Sequence, residues 1–141
     1  MRALSPSALA ACAAVAAVVA GQALAFDNTQ FCQAATHLAG VAAGDVGTWV
    51  DRTTRNDGVE IACDRKLVHF KRTSSAPAGT LRGSWKDTKT QEWQGTYCAN
   101  PIWREAIDNG WLISATVTTS TGERIFFGCQ KGGLGFHRVV P

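Results

Sequence analysis

Residues 98–138 read CANPIWREAIDNGWLISATVTTSTGERIFFGCQKGGLGFHR, a helix-forming segment followed by three strand-forming segments. Asn100 is a good helix N-cap, and Pro101 suits the first helical position because its missing N–H would be unpaired there anyway. Gly110 is predicted to end the helix. From Trp111 onward apolar and polar residues alternate, which indicates a half-buried strand. Thr121-Gly122 then turns the chain into two further strands, so this segment predicts a helix and three strands.

The same plan recurs earlier in the chain. A single offset maps Cys32 and Cys63 onto Cys98 and Cys129. Other pairs at this offset are Gly44 and Gly110, Phe70 and Phe136, and Arg72 and Arg138. We interpret residues 26–72 and 98–138 as two copies of one unit, joined by a connector at 73–97.

The first copy begins with a predicted helix. Asp27 is its expected N-cap, and Gly44 is expected to end it in a left-handed conformation. Residues 48–54 then alternate with the period of a strand. Asn56-Asp57-Gly58 is a strong tight-turn signal and predicts a hairpin to a second strand that ends at Cys63. A third strand is predicted at 67–70.

The connector is predicted to contain a loop followed by a helix. Residues 73–80 have the composition of a loop. Trp85 and Trp93 can share one face of a helix, so we predict a helix over about 84–95. The whole pattern predicts an α+β fold, in which two tandem helix–strand–strand–strand repeats pack as one pseudo-twofold domain with a helix between them. The strands would form one six-stranded sheet or two facing layers.

Residues 1–25 have the features of a secretory signal peptide. Arg2 supplies the positive charge, residues 8–20 are uncharged and rich in Ala and Val, and Ala23-Leu24-Ala25 is a small-x-small cleavage site. An uncleaved anchor and a lipoprotein signal at Cys12 are the alternatives. We expect residues 26–141 to form one exported domain, periplasmic or secreted, with no transmembrane segment after cleavage.

Cysteine usage agrees with export. Of the five cysteines, four follow the predicted leader, and an even number in an exported chain favours disulfides. Pairing within each copy gives Cys32–Cys63 and Cys98–Cys129, although four cysteines allow two other pairings. In the chain-entropy model each such bridge contributes roughly 3–4 kcal/mol.

The sequence lacks the features that indicate several classes of function. The formal net charge of +3 is too small to argue for nucleic acid binding. No Gly-x-Ser-x-Gly motif or Cys-x-x-Cys pair occurs, and no two histidines are close in sequence, so we predict no nucleophilic serine, no metal site and no cofactor.

One carboxylate suggests an alternative enzyme function. Asp51 shares a predicted strand face with Trp49, and a buried carboxylate there would have a raised pKa suited to acid–base chemistry. A cell-wall or glycan-acting enzyme would need a second acid facing the same cleft. An exposed Asp51 without such a partner would be an ordinary surface residue.

The third strand of each copy is the most suggestive feature. It carries basic and imidazole side chains that could form one patch if both strands expose the same face: Arg72, Arg138, His69 and His137. The alternative is two ordinary solvated faces, or charged edge strands that resist aggregation. All five tryptophans follow the leader, and Trp85 or Trp93 is a candidate contact residue.

We therefore predict an exported, disulfide-stabilised binding module without catalysis, acting as an inhibitor or as an accessory subunit of an envelope assembly. Its expected partner is another envelope or extracellular protein, or an anionic glycan. Self-association through exposed strand edges is a third, structural hypothesis.

Overall fold

In a computed structural model of the protein, residues 24–76 and 83–141 are described. They form α1 (Asn28–Ala43), β1 (Thr54–Ala62), β2 (Leu67–Ser74), α2 (Trp85–Trp93), a π-helical turn (Gln94–Cys98), α3 (Pro101–Asp108), β3 (Leu112–Thr118), β4 (Arg124–Gln130) and β5 (Leu134–Val140). The predicted α+β class is confirmed. Residues 1–23 of the expected leader and 77–82 of the expected loop lie outside the described residues.

The strands form one mixed five-stranded sheet in the order β1-β2-β3-β4-β5. β2 and β3 are parallel, whereas the other neighbouring pairs are antiparallel. A parallel pair requires a long crossover connection, and here the connection from β2 to β3 carries α2 and α3. The helices pack on one face of the sheet, which we call the helix face; the opposite face is called the outer face.

The core lies between the helices and the helix face. Its buried side chains come from α1, α3 and the central strands, including Ala35, Ile107, Val68, Phe70 and Ile113. A second buried group, Val117, Ile125 and Phe127, lies against Trp85 and Trp93. Within the described ranges, no helix is both long enough and apolar enough to cross a membrane.

Helix α1 begins as its sequence indicates. The Oδ1 atom of Asp27 accepts hydrogen bonds from the backbone N–H groups of Thr29 and Gln30, at 2.8 and 3.0 Å. Gly44 ends the helix as predicted, but not in the expected left-handed conformation. Gly44 has a right-handed φ of −67°, and the first left-handed residue is Gly47, with φ of +89°.

The predicted hairpin at Asn56-Asp57-Gly58 is wrong. β1 runs through these residues, and Gly58, with φ of +122°, lies where the register with β2 shifts. The side chain of Asn56 is buried and accepts a hydrogen bond from the Gly58 backbone N–H at 3.1 Å. The glycine thus supplies a β-bulge rather than a turn. The expected strand at 48–54 is reduced to one bridge between Trp49 and Arg55, and the sheet has five strands rather than six.

The second copy has the predicted element order, α3 followed by β3, β4 and β5. The Asn100 side chain caps the helix by accepting from the Ile102 backbone N–H, with Pro101 in the first turn. Gly110 follows the helix with φ of +91°. Local signals were sufficient here because capping and turn residues agree with the apolar pattern.

The repeat is only roughly visible in three dimensions. At the sequence offset that relates the cysteine pairs, β1 and β2 correspond to β4 and β5. These two hairpins lie in the same order and run in the same directions in the sheet. A twofold rotation would reverse the strand order, the strand directions or both, so the hairpins are related by a displacement along the sheet and not by the expected twofold.

The hairpins also differ in register. Ile61 pairs with Val68 in the first. Phe127, the counterpart of Ile61, pairs with His137 rather than with Leu134, the counterpart of Val68. An odd shift in register moves every side chain of a strand to the opposite face. Corresponding residues of β2 and β5 therefore point to opposite faces of the sheet.

Two disulfides join helical segments to the sheet. Cys32 of α1 pairs with Cys63, the residue after β1, and Cys98 of the π-helical turn pairs with Cys129 of β4. This is the pairing favoured by the sequence spacing. The second bridge is buried, whereas Cys63 is exposed.

Candidate functional site

The register shift separates the predicted basic residues. On the outer face, the Arg138 guanidinium carbon lies 4.5 Å from the centre of the Phe126 ring. His69 stacks on the same ring, with centroids 6.0 Å apart. Arg72 lies on the helix face, where its guanidinium carbon is 5.2 Å from the centre of the Phe70 ring.

His137 also faces the helices. Its Nδ1 atom is 2.8 Å from the Thr90 hydroxyl oxygen of α2. The structure therefore brings His69 and Arg138 together on one face, and places Arg72 and His137 on the other. The four residues do not form one continuous patch.

His69 is held by two hydroxyl groups of β3. Its Nδ1 lies 2.8 Å from the Ser114 Oγ, and its Nε2 lies 3.0 Å from the Thr116 Oγ1. Burial lowers the pKa of His69 below its ordinary value. Both ring nitrogens are engaged, so this histidine contributes to the structure of the outer face.

A cleft with aromatic walls lies on the helix face, between α2, the π-helical turn and residues 50–54. We call it the aromatic cleft. Its volume is about 190 Å³. Its aromatic lining residues are Trp85, Trp93, Tyr97 and Phe127. The Trp93 and Tyr97 ring centroids are 4.0 Å apart, and those of Trp85 and Phe127 are 6.2 Å apart.

Helical spacing explains the wall formed by α2. Trp85, Lys89, Trp93 and Tyr97 recur every fourth residue, which places them on one side of the helix and its π-helical extension. The predicted helix over 84–95 already put Trp85 and Trp93 on one face. It missed Tyr97, although the same spacing continued to it.

Charged groups line the mouth of the cleft. The Lys89 Nζ lies 2.7 Å from the Glu92 Oε2 and 3.8 Å from the Asp51 Oδ2. The Asp51 Oδ1 also accepts hydrogen bonds from the backbone N–H groups of Thr53 and Thr54, both at 2.8 Å. These contacts connect residues 51–54 to α2.

Asp51 and Glu92 are the two acids of this cleft. Burial raises the pKa of Asp51, but hydrogen bonds from Thr53 and Thr54 and the charge of Lys89 outweigh it. The pKa of Asp51 therefore lies below its ordinary value. A general acid requires the opposite shift, so Asp51 is better suited to ion pairing than to the general-acid role.

Arg72 forms part of the cleft floor. Its Nη1 donates hydrogen bonds to the Asn56 Oδ1 and, at 3.1 Å, to the Lys71 backbone oxygen. Burial raises the pKa of the neighbouring Tyr97, and Arg72 opposes that rise.

Trp93 has an unusual indole group. Its Nε1 is buried and has no hydrogen-bond partner in the part of the chain that the structure describes. An unpaired buried donor costs about 1–3 kcal/mol. Such groups are uncommon in native proteins.

The structure also shows exposed apolar residues that the sequence did not identify as binding residues. Trp49 and Val50 are each 58% exposed, and Val50 lines the cleft. Other exposed apolar side chains precede them in the chain: Leu38, Val41 and Val46. We interpreted Trp49 as part of a strand, but residues 48–53 form no strand and leave its indole in solvent.

Metal chemistry has no support from the described ranges 24–76 and 83–141. They contain no group of three or more His, Cys, Asp or Glu side chains arranged to hold a metal ion. The cleft instead combines aromatic walls, a charged mouth and a polar floor, which suits the binding of an amphipathic segment.

Comparison with known proteins shows similarity of fold. No protein-family model matches the chain, and no curated protein sequence matches it. A Pseudomonas aeruginosa protein, provisionally described as secreted, superposes with a TM-score of 0.58 at 12% identity, covering 75% of this chain and 94% of that one. The pilotin EpsS of the Vibrio vulnificus type 2 secretion system superposes with a TM-score of 0.55 at 15% identity, covering 75% of this chain and 93% of the pilotin. At these identities the two structures show a shared fold.

Proposed function

We propose that the protein is an exported, disulfide-braced binding module that serves as an accessory subunit of an envelope assembly. It would act by holding a short apolar segment of a partner protein in the aromatic cleft. The observation that carries this proposal is the cleft itself, in which Trp85, Trp93 and Tyr97 face a half-open space beside the exposed Val50.

The size and lining of the cleft favour a peptide segment. A volume of about 190 Å³ is below the roughly 300–1,000 Å³ typical of small-molecule sites. Trp and Tyr side chains are enriched among the few residues that provide most of the binding energy at protein interfaces. A few apolar side chains of a partner would fill this space, and the charged mouth would fix their orientation.

Other features support the proposed location in the cell envelope. The predicted leader and the two disulfides are typical of an exported protein. One solved protein with this fold is a pilotin of a secretion system. Because one fold serves many functions, the fold raises the accessory-subunit hypothesis and the cleft supplies its chemistry. The division of the basic residues between two faces favours a protein partner over an anionic glycan.

Site-specific photo-crosslinking in living cells tests the proposal. A photoreactive amino acid would replace Val50 at the cleft, and Leu134 would be the matched control because both side chains are 58% exposed. We expect one partner protein to crosslink from position 50 and not from position 134. Equal crosslinking from both positions, or none from position 50 in the folded exported protein, would contradict it.

A further inference from the structure

We propose that the bound segment carries an aspartate or glutamate side chain that pairs with Arg72 on the floor of the aromatic cleft. This inference rests on the proposed function, because it specifies the chemistry of the segment that the cleft would hold.

Arg72 has no negative counter-charge. All eleven Asp and Glu residues of the sequence fall within residues 24–76 and 83–141. The ion pairs within those ranges do not include Arg72. Its hydrogen-bond acceptors are neutral, the Asn56 amide oxygen and the Lys71 backbone oxygen, and the Tyr97 hydroxyl that it also contacts carries no charge. Arg72 is also half-buried, so water compensates its charge only in part.

The other charged residues of the cleft lining, one lysine and two acids, contact one another. Lys89 contacts both Asp51 and Glu92 at the mouth. Arg72 is therefore the cation of the cleft lining that no carboxylate contacts. Both of those Arg72 hydrogen bonds come from Nη1, and a guanidinium offers further N–H donors in a fork that fits a carboxylate. A carboxylate is thus the group that best completes the site.

The walls of the aromatic cleft determine which side chains would flank this carboxylate in the bound segment. Trp93 and Tyr97 approach from the helix side, and Val50 lies on the opposite border of the cleft. Apolar side chains before and after the acid would contact these walls. We therefore assign the carboxylate to a side chain inside an apolar segment rather than to the end of a chain.

Peptide selection provides the test. A library of random dodecapeptides would be displayed at the N-terminus of a phage coat protein, so that no peptide has a free carboxyl terminus. The oxidised mature protein and its Arg72→Met and Arg138→Met variants would each select from it. We expect apolar motifs with a recurring Asp or Glu for the wild type and for Arg138→Met, and apolar motifs without that acid for Arg72→Met. The same acid frequency in all three pools would overturn the inference.

A second experiment changes the peptide instead of the protein, which avoids any effect on the folding of the protein. In a selected peptide, replacement of the acid by its amide should weaken binding to the wild-type protein roughly 10- to 100-fold, as expected for a charged hydrogen bond. Amidation of the peptide terminus should change the affinity less than twofold. Dependence on the terminus instead of the side chain would refute the assignment.

The two hypotheses fail differently. Selection of apolar motifs without any acid would remove the Arg72 inference and leave the cleft as the binding site. Selection of no motif, or of motifs whose binding is unaffected by Val50→Glu, would remove the proposed function itself.

Discussion

The ammonium group of Lys89 lies 3.8 Å from the carboxylate of Asp51, and this contact bridges the mouth of the aromatic cleft. Lys89 belongs to α2, whereas Asp51 belongs to the irregular segment before β1. The same carboxylate holds the backbone N–H groups of Thr53 and Thr54. One lysine therefore helps to set the position of the segment that borders the cleft.

Replacement of this lysine should loosen that segment with little effect on global stability. We expect Lys89→Gln to lower the free energy of unfolding by less than about 1 kcal/mol, because partly exposed ion pairs contribute little. The amides of Thr53 and Thr54 should exchange faster with deuterium. Lys86→Gln is the matched control, since Lys86 pairs with Glu123 at 2.7 Å away from these amides. Equal protection of Thr53 and Thr54 in both variants would show that Lys89 does not hold the segment.

Burial should make the two disulfides differ in their reactivity. Cys98 is 0% exposed and Cys129 is 4% exposed, whereas Cys63 is exposed. Because a reducing thiolate must reach a sulfur atom, mild reduction should free Cys32 and Cys63 first. Alkylation of the freed thiols, followed by mass spectrometry, measures the order. Simultaneous labelling of all four cysteines in the folded protein would contradict this expectation.

Gly128 lies beneath two aromatic rings of the outer face. An added Cβ would lie 2.9 Å from the Phe136 Cζ and 3.1 Å from the Phe126 Cε1. Gly128→Ala should therefore lower the free energy of unfolding by about 1–3 kcal/mol through overpacking.

Gly40 provides the matched control for this substitution. It lies within α1, and a Cβ there would meet nothing within 4 Å. Gly40→Ala should raise the free energy of unfolding by about 0.5–1 kcal/mol through helix propensity. Urea denaturation of both variants gives the comparison. If Gly128→Ala left the free energy of unfolding unchanged, the two rings would have to move aside freely.

His69 should make stability depend on pH. Burial lowers its pKa in the folded state below the ordinary value of 6.5, so the unfolded chain binds a proton more readily. The stability that this histidine contributes is present above pH 6.5 and is lost as the pH falls through the folded-state pKa. Urea titrations from pH 8 to pH 5 should show this loss in the wild type and a smaller loss in His69→Gln.

His37 supplies a control for that experiment because it is exposed on α1. His37→Gln should retain the wild-type dependence of stability on pH. If His69→Gln showed the same dependence as the wild type, another group would be responsible.

Local sequence signals predicted the elements best where they agreed with one another. Asn100, Pro101 and Gly110 bound α3 as expected, and alternation over 112–118 matches β3. Around Asn56 the local signal misled, because a turn sequence was used as a bulge. The buried Asn56 side chain bonds to Gly58 and to the Asp45 backbone oxygen, and the second of these contacts is not local. The spacing of Trp93 and Tyr97 indicated one wall of the cleft. The opposite border is formed by residues 50–54, whose position against α2 the sequence did not predict.

By itself, the sequence determined the α+β class, the N-caps of α1 and α3, and the cysteine spacing that the observed disulfides follow. These properties depend on short-range periodicity and on side chains near their own backbone. Only the tertiary structure decided that Arg72 faces the helices and Arg138 faces away from them. Alternation shows which residues of a strand share a face, but the register against the neighbouring strand selects the face. That register differs between the two hairpins, and it placed one arginine in the cleft and the other on the outer face.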